Sequence, residues 1–129
     1  MIALVNRLPH FAVVNDDPIF AAITAHRAAI RKQCLAFNKA EAAEIAARDT
    51  KEASLAKRYH QAEKEHVLAE GAEKKAERQL LRTKPTTAAG VAALLKYALR
   101  DVDDVMPGGW AYEALKSVTA LLDAAAKAA

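Results

Sequence analysis

The chain is short of glycine, proline, cysteine and aromatic residues. Its 129 residues include four glycines and four prolines, too few turn-formers for a fold of many short strands. Alternating runs of valine, isoleucine and threonine, the pattern of half-buried strands, are missing beyond the N-terminus. One cysteine, Cys34, excludes an internal disulfide and suits a reducing compartment. No run approaches the roughly 18 apolar residues of a membrane span. The opening MIALV lacks a leading positive charge and soon meets Asn6, Arg7 and Pro9, so it does not read as a signal peptide. A large excess of one charge is absent too. Nineteen basic and 16 acidic residues leave a net +3, which does not suggest a strong nucleic-acid binder. The expectation is a soluble cytoplasmic protein.

What is present is alanine and charge. The hydrophobic fraction is 53%, about half of it alanine. Alanine favours helix but buries little, and burial stabilises by ~25 cal/mol per Å² of apolar surface. The larger aliphatics and a few aromatics suffice for one modest core. The length fits one domain, and the composition predicts an all-α fold.

Residues 1–16 read as an irregular N-terminal arm, with Pro9 and Asn15–Asp16 as breakers and FAVV (11–14) as a short apolar piece. A single helical domain is expected over 17–129. Its first helix starts at NDDPIF, where Asp17 suits the N-cap and Pro18 the first helical position. Ile19, Ile23, His26, Ile30, Cys34 and Phe37 then recur at helical steps. Asp49–Thr50 marks a turn. A second helix follows, with the stripe Leu55, Tyr59, Ala62, His66, Ala69, Glu73, Ala76 and Leu80, close to a heptad seam.

The spacing therefore predicts a long antiparallel hairpin over about 17–48 and 51–82. The rival is one continuous helix over 17–82, nearly 100 Å long at ~1.5 Å per residue, which could hardly exist without a partner chain. Pro85 stops the second helix, and Thr86 or Thr87 caps a third over about 86–102. Its expected buried face is Val91, Leu94, Leu95, Ala98, Leu99 and Val102. Gly90 inside it suggests close approach of another backbone. After an acidic run (Asp101, Asp103, Asp104) and a turn at 106–109, a fourth helix spans about 110–126 and carries Leu115, Val118, Leu121, Leu122 and Ala125. Large apolar residues concentrate near Ile19, Phe20, Leu80 and Leu81 and in the last two helices. That places a four-helix head at this end, with an Ala- and charge-rich two-helix stalk beyond it.

DPIFAAITAHR (17–27) and PTTAAGVAALLKY (85–97) carry a resemblance. Asp17, Pro18, Ile19, Phe20, Ile23, His26 and Arg27, with Pro85, Thr86, Thr87, Ala89, Gly90, Ala93, Leu94, Leu95 and Tyr97, resemble the motifs D-P-I-F-x-x-I-x-x-H-R and P-T-T-x-A-G-x-x-A-L-L-x-Y. These mark a family of small, uncharacterised bacterial proteins common among alphaproteobacteria. The resemblance covers about a fifth of the chain, implies a helical intracellular protein and adds no chemistry. The basic, alanine-rich middle departs from the family pattern.

Several residues invite a functional reading. TKPTTAAG offers helix-start N–H groups, two hydroxyls and Lys84 to an anion, although G-x-x-x-x-G-K-[ST] is absent and capping alone explains the threonines. Glu63-x-x-His66, with His60, has the spacing of di-iron carboxylate bundles, but no second copy exists to complete the ligand set. His26 lies on the apolar stripe and reads as a buried histidine bonded to a carbonyl or carboxylate. Arg27 beside it suits a carboxylate of another helix. Cys34 reads as a small core residue.

Lys74, Lys75, Arg78, Arg82 and Lys84 make a basic end to the second helix, within a 51–84 segment of nine basic and six acidic residues. Such a patch meets nucleic acid or an acidic partner. Interspersed glutamates favour a plain solvated face, and cations at a helix C-terminus also offset its dipole. No nucleophile with a base partner is readable. No catalytic residue, cofactor or metal is assigned. The expectation is a non-enzymatic interaction module that self-associates through its Ala-rich coil, or binds another protein. The alternative is a weak nucleic-acid-binding accessory protein using the five basic residues.

Overall fold

A computed structural model of the chain describes residues 16–100 and 109–128. Among the described residues there are four helices and no strand: α1 (Pro18–Arg48), α2 (Ala53–Arg82), α3 (Ala88–Leu99) and α4 (Trp110–Ala128). The all-α expectation holds, with the helices in the order read from sequence. The N-terminal arm with FAVV lies outside the described residues. So do Val102, the acidic run at 101–104 and most of the turn before α4.

Local chemistry sets the boundaries. The Thr50 hydroxyl accepts the Glu52 N–H at 3.2 Å, and the Glu52 carbonyl accepts the N–H groups of Leu55 and Ala56. This turn delays α2 to Ala53, two residues later than expected. Thr87 has extended backbone (φ −132°, ψ 158°), and its side chain accepts the Gly90 N–H, so Thr87 rather than Thr86 is the cap of α3.

The chain divides into two compact units, one of residues up to Thr24 with those from Gln79 onward, the other Ala25–Arg78. The first unit holds the core. Ile19, Ile23, Leu80, Leu94, Tyr97 and Val118 are buried with Ala22, Ala98, Ala111 and Ala114. Phe20, Leu81, Trp110 and Leu115 pack around them, and the Tyr97 and Trp110 rings lie 4.9 Å apart. Thus the beginning of α1 and the end of α2 share a core with α3 and α4.

One detail of α3 differs from expectation. Tyr97 is buried, while Leu99 is 49% exposed. The inner face of α3 runs Gly90, Leu94, Tyr97, Ala98, and Leu99 sits about 100° further round the helix from Ala98. In α4, Ala111, Ala114 and Val118 are buried, whereas Leu122 and Ala125 are exposed.

The second unit is an antiparallel hairpin. Lys39 pairs with Glu65, Phe37 meets His66 and His26 meets Glu73, a register that excludes one continuous helix over 17–82. Its buried residues are His26, Ala40, Ala62 and Ala69. The α2 stripe read from sequence is the inner face, with Ala62 and Ala69 buried and Leu55, Tyr59, His66, Glu73 and Ala76 half-buried. The α1 stripe is correct as far as Ile30. Beyond it Gln33, Ala36, Ala40, Ala43 and Ala47 turn inward. Cys34 and Phe37 are exposed, which corrects the reading of Cys34 as a core residue. Two helices packed along a seam repeat every 3.5 residues rather than 3.6, and a second step of four carries the stripe off that seam.

Candidate functional site

The DPIF and PTT segments meet at one carboxylate. Asp17 is 2% exposed. Its Oδ1 accepts the Ile19 N–H at 3.1 Å, which caps α1. Its Oδ2 accepts the N–H groups of Thr86 and Thr87, each at 2.9 Å, and the Thr87 hydroxyl at 2.8 Å. The same hydroxyl oxygen accepts the Gly90 N–H at 2.9 Å. One negative charge therefore serves the positive ends of two helices. Burial pushes the Asp17 carboxyl up. The Thr87 hydroxyl and the N–H groups of Ile19, Thr86 and Thr87 outweigh it and hold the group below its usual value.

This geometry settles the anion reading of TKPTTAAG. The donors at the start of α3 already hold an anion, the protein's own Asp17. Gly90 is explained by the same contact. A Cβ there would overlap Asp17 Oδ2 and lie 2.8 Å from Asp17 Cγ and 2.9 Å from Ile19 Cγ2. The close approach is by side chains of α1, not by its backbone.

The other readings are placed as follows. His66 Nε2 lies 3.1 Å from Gln33 Nε2, and its ring packs edge-on to Phe37 at 5.4 Å. The Glu63-x-x-His66 pair thus serves the hairpin contact through His66, and His60 and Glu63 are exposed. His26 is fully buried, with Nε2 3.4 Å from Glu73 Oε1, in line with the buried-histidine reading; Arg27 is exposed. Lys74, Lys75, Arg78, Arg82 and Lys84 are all exposed. Among the described residues none of these five forms an ion pair.

The hairpin unit also carries a surface that the sequence stripe did not single out. Leu35, Ala36, Leu68 and Ala69 line a groove of about 420 Å³, with Lys39 and Glu65 at its rim. The Lys39–Glu65 pair is 2.8 Å long. The Lys39 hydrogen bond, with help from Gln61, holds the Glu65 carboxyl below its usual value. Beyond Lys39 a second groove continues over Ala42, Ala43, Ala46, Leu55 and Ala62. Leu35 is 65% exposed and Leu68 75%. The signal was present as leucines lying one step outside each seam. Among the described residues no helix is long and apolar enough to cross a membrane. Comparison with family models, curated proteins and solved structures found no match to this chain.

Proposed function

We propose that this chain is a non-enzymatic helical interaction module of the cytoplasm that pairs with a second copy of itself through the hairpin of residues 25–78. The observation that carries this reading is an inversion. Within the hairpin the buried apolar residues are alanines, while Leu35, Phe37, Ile45, Val67 and Leu68 are exposed. A two-helix unit with an alanine seam gains little from its own burial and needs a further layer.

A second hairpin is a fitting occupant. Two copies related by a two-fold axis place the same face against itself, and two hairpins make a four-helix bundle. The alanines of both grooves allow close approach, and the leucines supply area. Each leucine contributes about 2 kcal/mol when buried, against an association cost of ~4–15 kcal/mol. Leu35 and Leu68 from both copies sit near break-even, so the alanine groove must contribute and the dimer is of moderate affinity.

Light scattering coupled to gel filtration tests this. A mass of twice the chain supports the reading, and a compact monomer at high concentration rejects it.

The second reading, weak nucleic-acid binding, is favoured by the five exposed cations Lys74, Lys75, Arg78, Arg82 and Lys84, which form no ion pairs among the described residues. Titration against DNA at two salt concentrations separates the two. Binding that falls steeply with salt supports this second reading, and no binding at low salt removes it.

A further inference from the structure

We propose that His26, Glu73 and Glu77 form a binding site for a divalent ion of the zinc class. One donor atom from each residue lies within 4.8 Å of the other two, and all three belong to the hairpin unit. His26 comes from α1. Glu73 and Glu77 stand one turn apart on α2, so both carboxylates reach the same face.

The donors suit such an ion in type and placement. One imidazole nitrogen and two carboxylate oxygens match zinc and its neighbours. A calcium site would need six to eight oxygens, and magnesium prefers oxygen and water. Bonds of ~2.0–2.2 Å in a tetrahedral site put donors roughly 3.3–3.6 Å apart. The His26 Nε2–Glu73 Oε1 distance of 3.4 Å already has this value. The remaining separations, up to 4.8 Å, close by rotation of the long glutamate side chains. His26 is fully buried and so anchors the site. Glu73 and Glu77 are half-buried and leave an open side for water as the fourth ligand. As the ion enters, Nε2 offers its lone pair, and any proton it holds leaves to solvent.

A His26–Glu73 ion pair alone is the plain reading of the same contact, and Glu77 separates the two. The ion pair does not use Glu77, whereas the ion does. Titration of the full chain with Co²⁺, and with Zn²⁺ in competition, is the test. The expected result is one Co²⁺ per chain, the visible d–d bands of four-coordinate cobalt, and their loss on adding Zn²⁺. Glu77→Gln and Glu73→Gln keep size and helix, checked by circular dichroism, and each should weaken binding by at least about 10-fold. Absence of a one-to-one Co²⁺ complex in the folded chain overturns the proposal. So does binding that Glu77→Gln leaves unchanged. Neither outcome depends on whether the hairpin pairs with a second copy.

Discussion

Asp17 Oδ2 accepts the Thr87 hydroxyl at 2.8 Å, joining residues 70 positions apart in the chain. The contact ties the first turn of α1 to the first turn of α3, next to Ile19 of the buried core. Breaking it strands three N–H groups and a hydroxyl in a part-buried place. Asp17→Ala should therefore cost about 3 kcal/mol or more in urea unfolding. Asp17→Asn keeps one carbonyl acceptor and should cost less. Equal stability of wild type and Asp17→Ala would show that the contact contributes nothing.

The same carboxylate predicts a pH dependence. Its value in the folded chain lies below the usual one, and the unfolded value is near 3.9. A depressed carboxylate adds stability that is fully present above the unfolded value and is lost as pH falls through the folded one. Other carboxylates titrate there as well, so the informative quantity is the difference between wild type and Asp17→Asn. That difference should shrink steadily below about pH 4. A difference that stays constant down to pH 2 would contradict the assignment.

The glycines of α2 and α3 should behave oppositely. Gly71 has nothing within 4 Å of an added Cβ, so Gly71→Ala should raise stability by roughly 1 kcal/mol through helix propensity. At Gly90 the added methyl meets Asp17 and Ile19. There Gly90→Ala should lower stability by about 1–3 kcal/mol despite the same propensity gain. Thermal melts of the two variants check both signs.

If the leucine groove is the pairing surface, charge there should abolish pairing and spare the fold. Leu35→Glu with Leu68→Glu changes two residues that are 65% and 75% exposed. Helicity by circular dichroism should hold while the dimer is lost in sedimentation velocity. An unchanged dimer would move the interface elsewhere.

The local signals in the sequence were legible, and the non-local ones were not. Asp17 and the threonines at 86–87 announced two helix starts, because a cap is written within a few residues. That Asp17 also grips Thr86 and Thr87 depends on the fold, and no short-range pattern carries it. The α2 seam was readable through Ala62, Ala69 and Leu80 because its steps alternate strictly between four and three. On α1 the apolar Cys34 and Phe37 attracted the stripe, although small residues such as Ala36 and Ala40 face inward. Where alanine fills a seam, side-chain size no longer points to the buried face. His26 meets Glu73 through the antiparallel register, which follows from the position of the turn near residue 50. Glu73 and Glu77 stand one turn apart in the sequence, but nothing local distinguishes that pair from the other glutamates of a charged helix.

The most direct test of the hairpin's pairing is amide hydrogen exchange measured at several protein concentrations. Pairing through the leucine groove predicts that exchange slows with concentration in peptides covering 32–46 and 55–72, with little change in those covering α3 and α4. Exchange in the hairpin that is independent of concentration would contradict it.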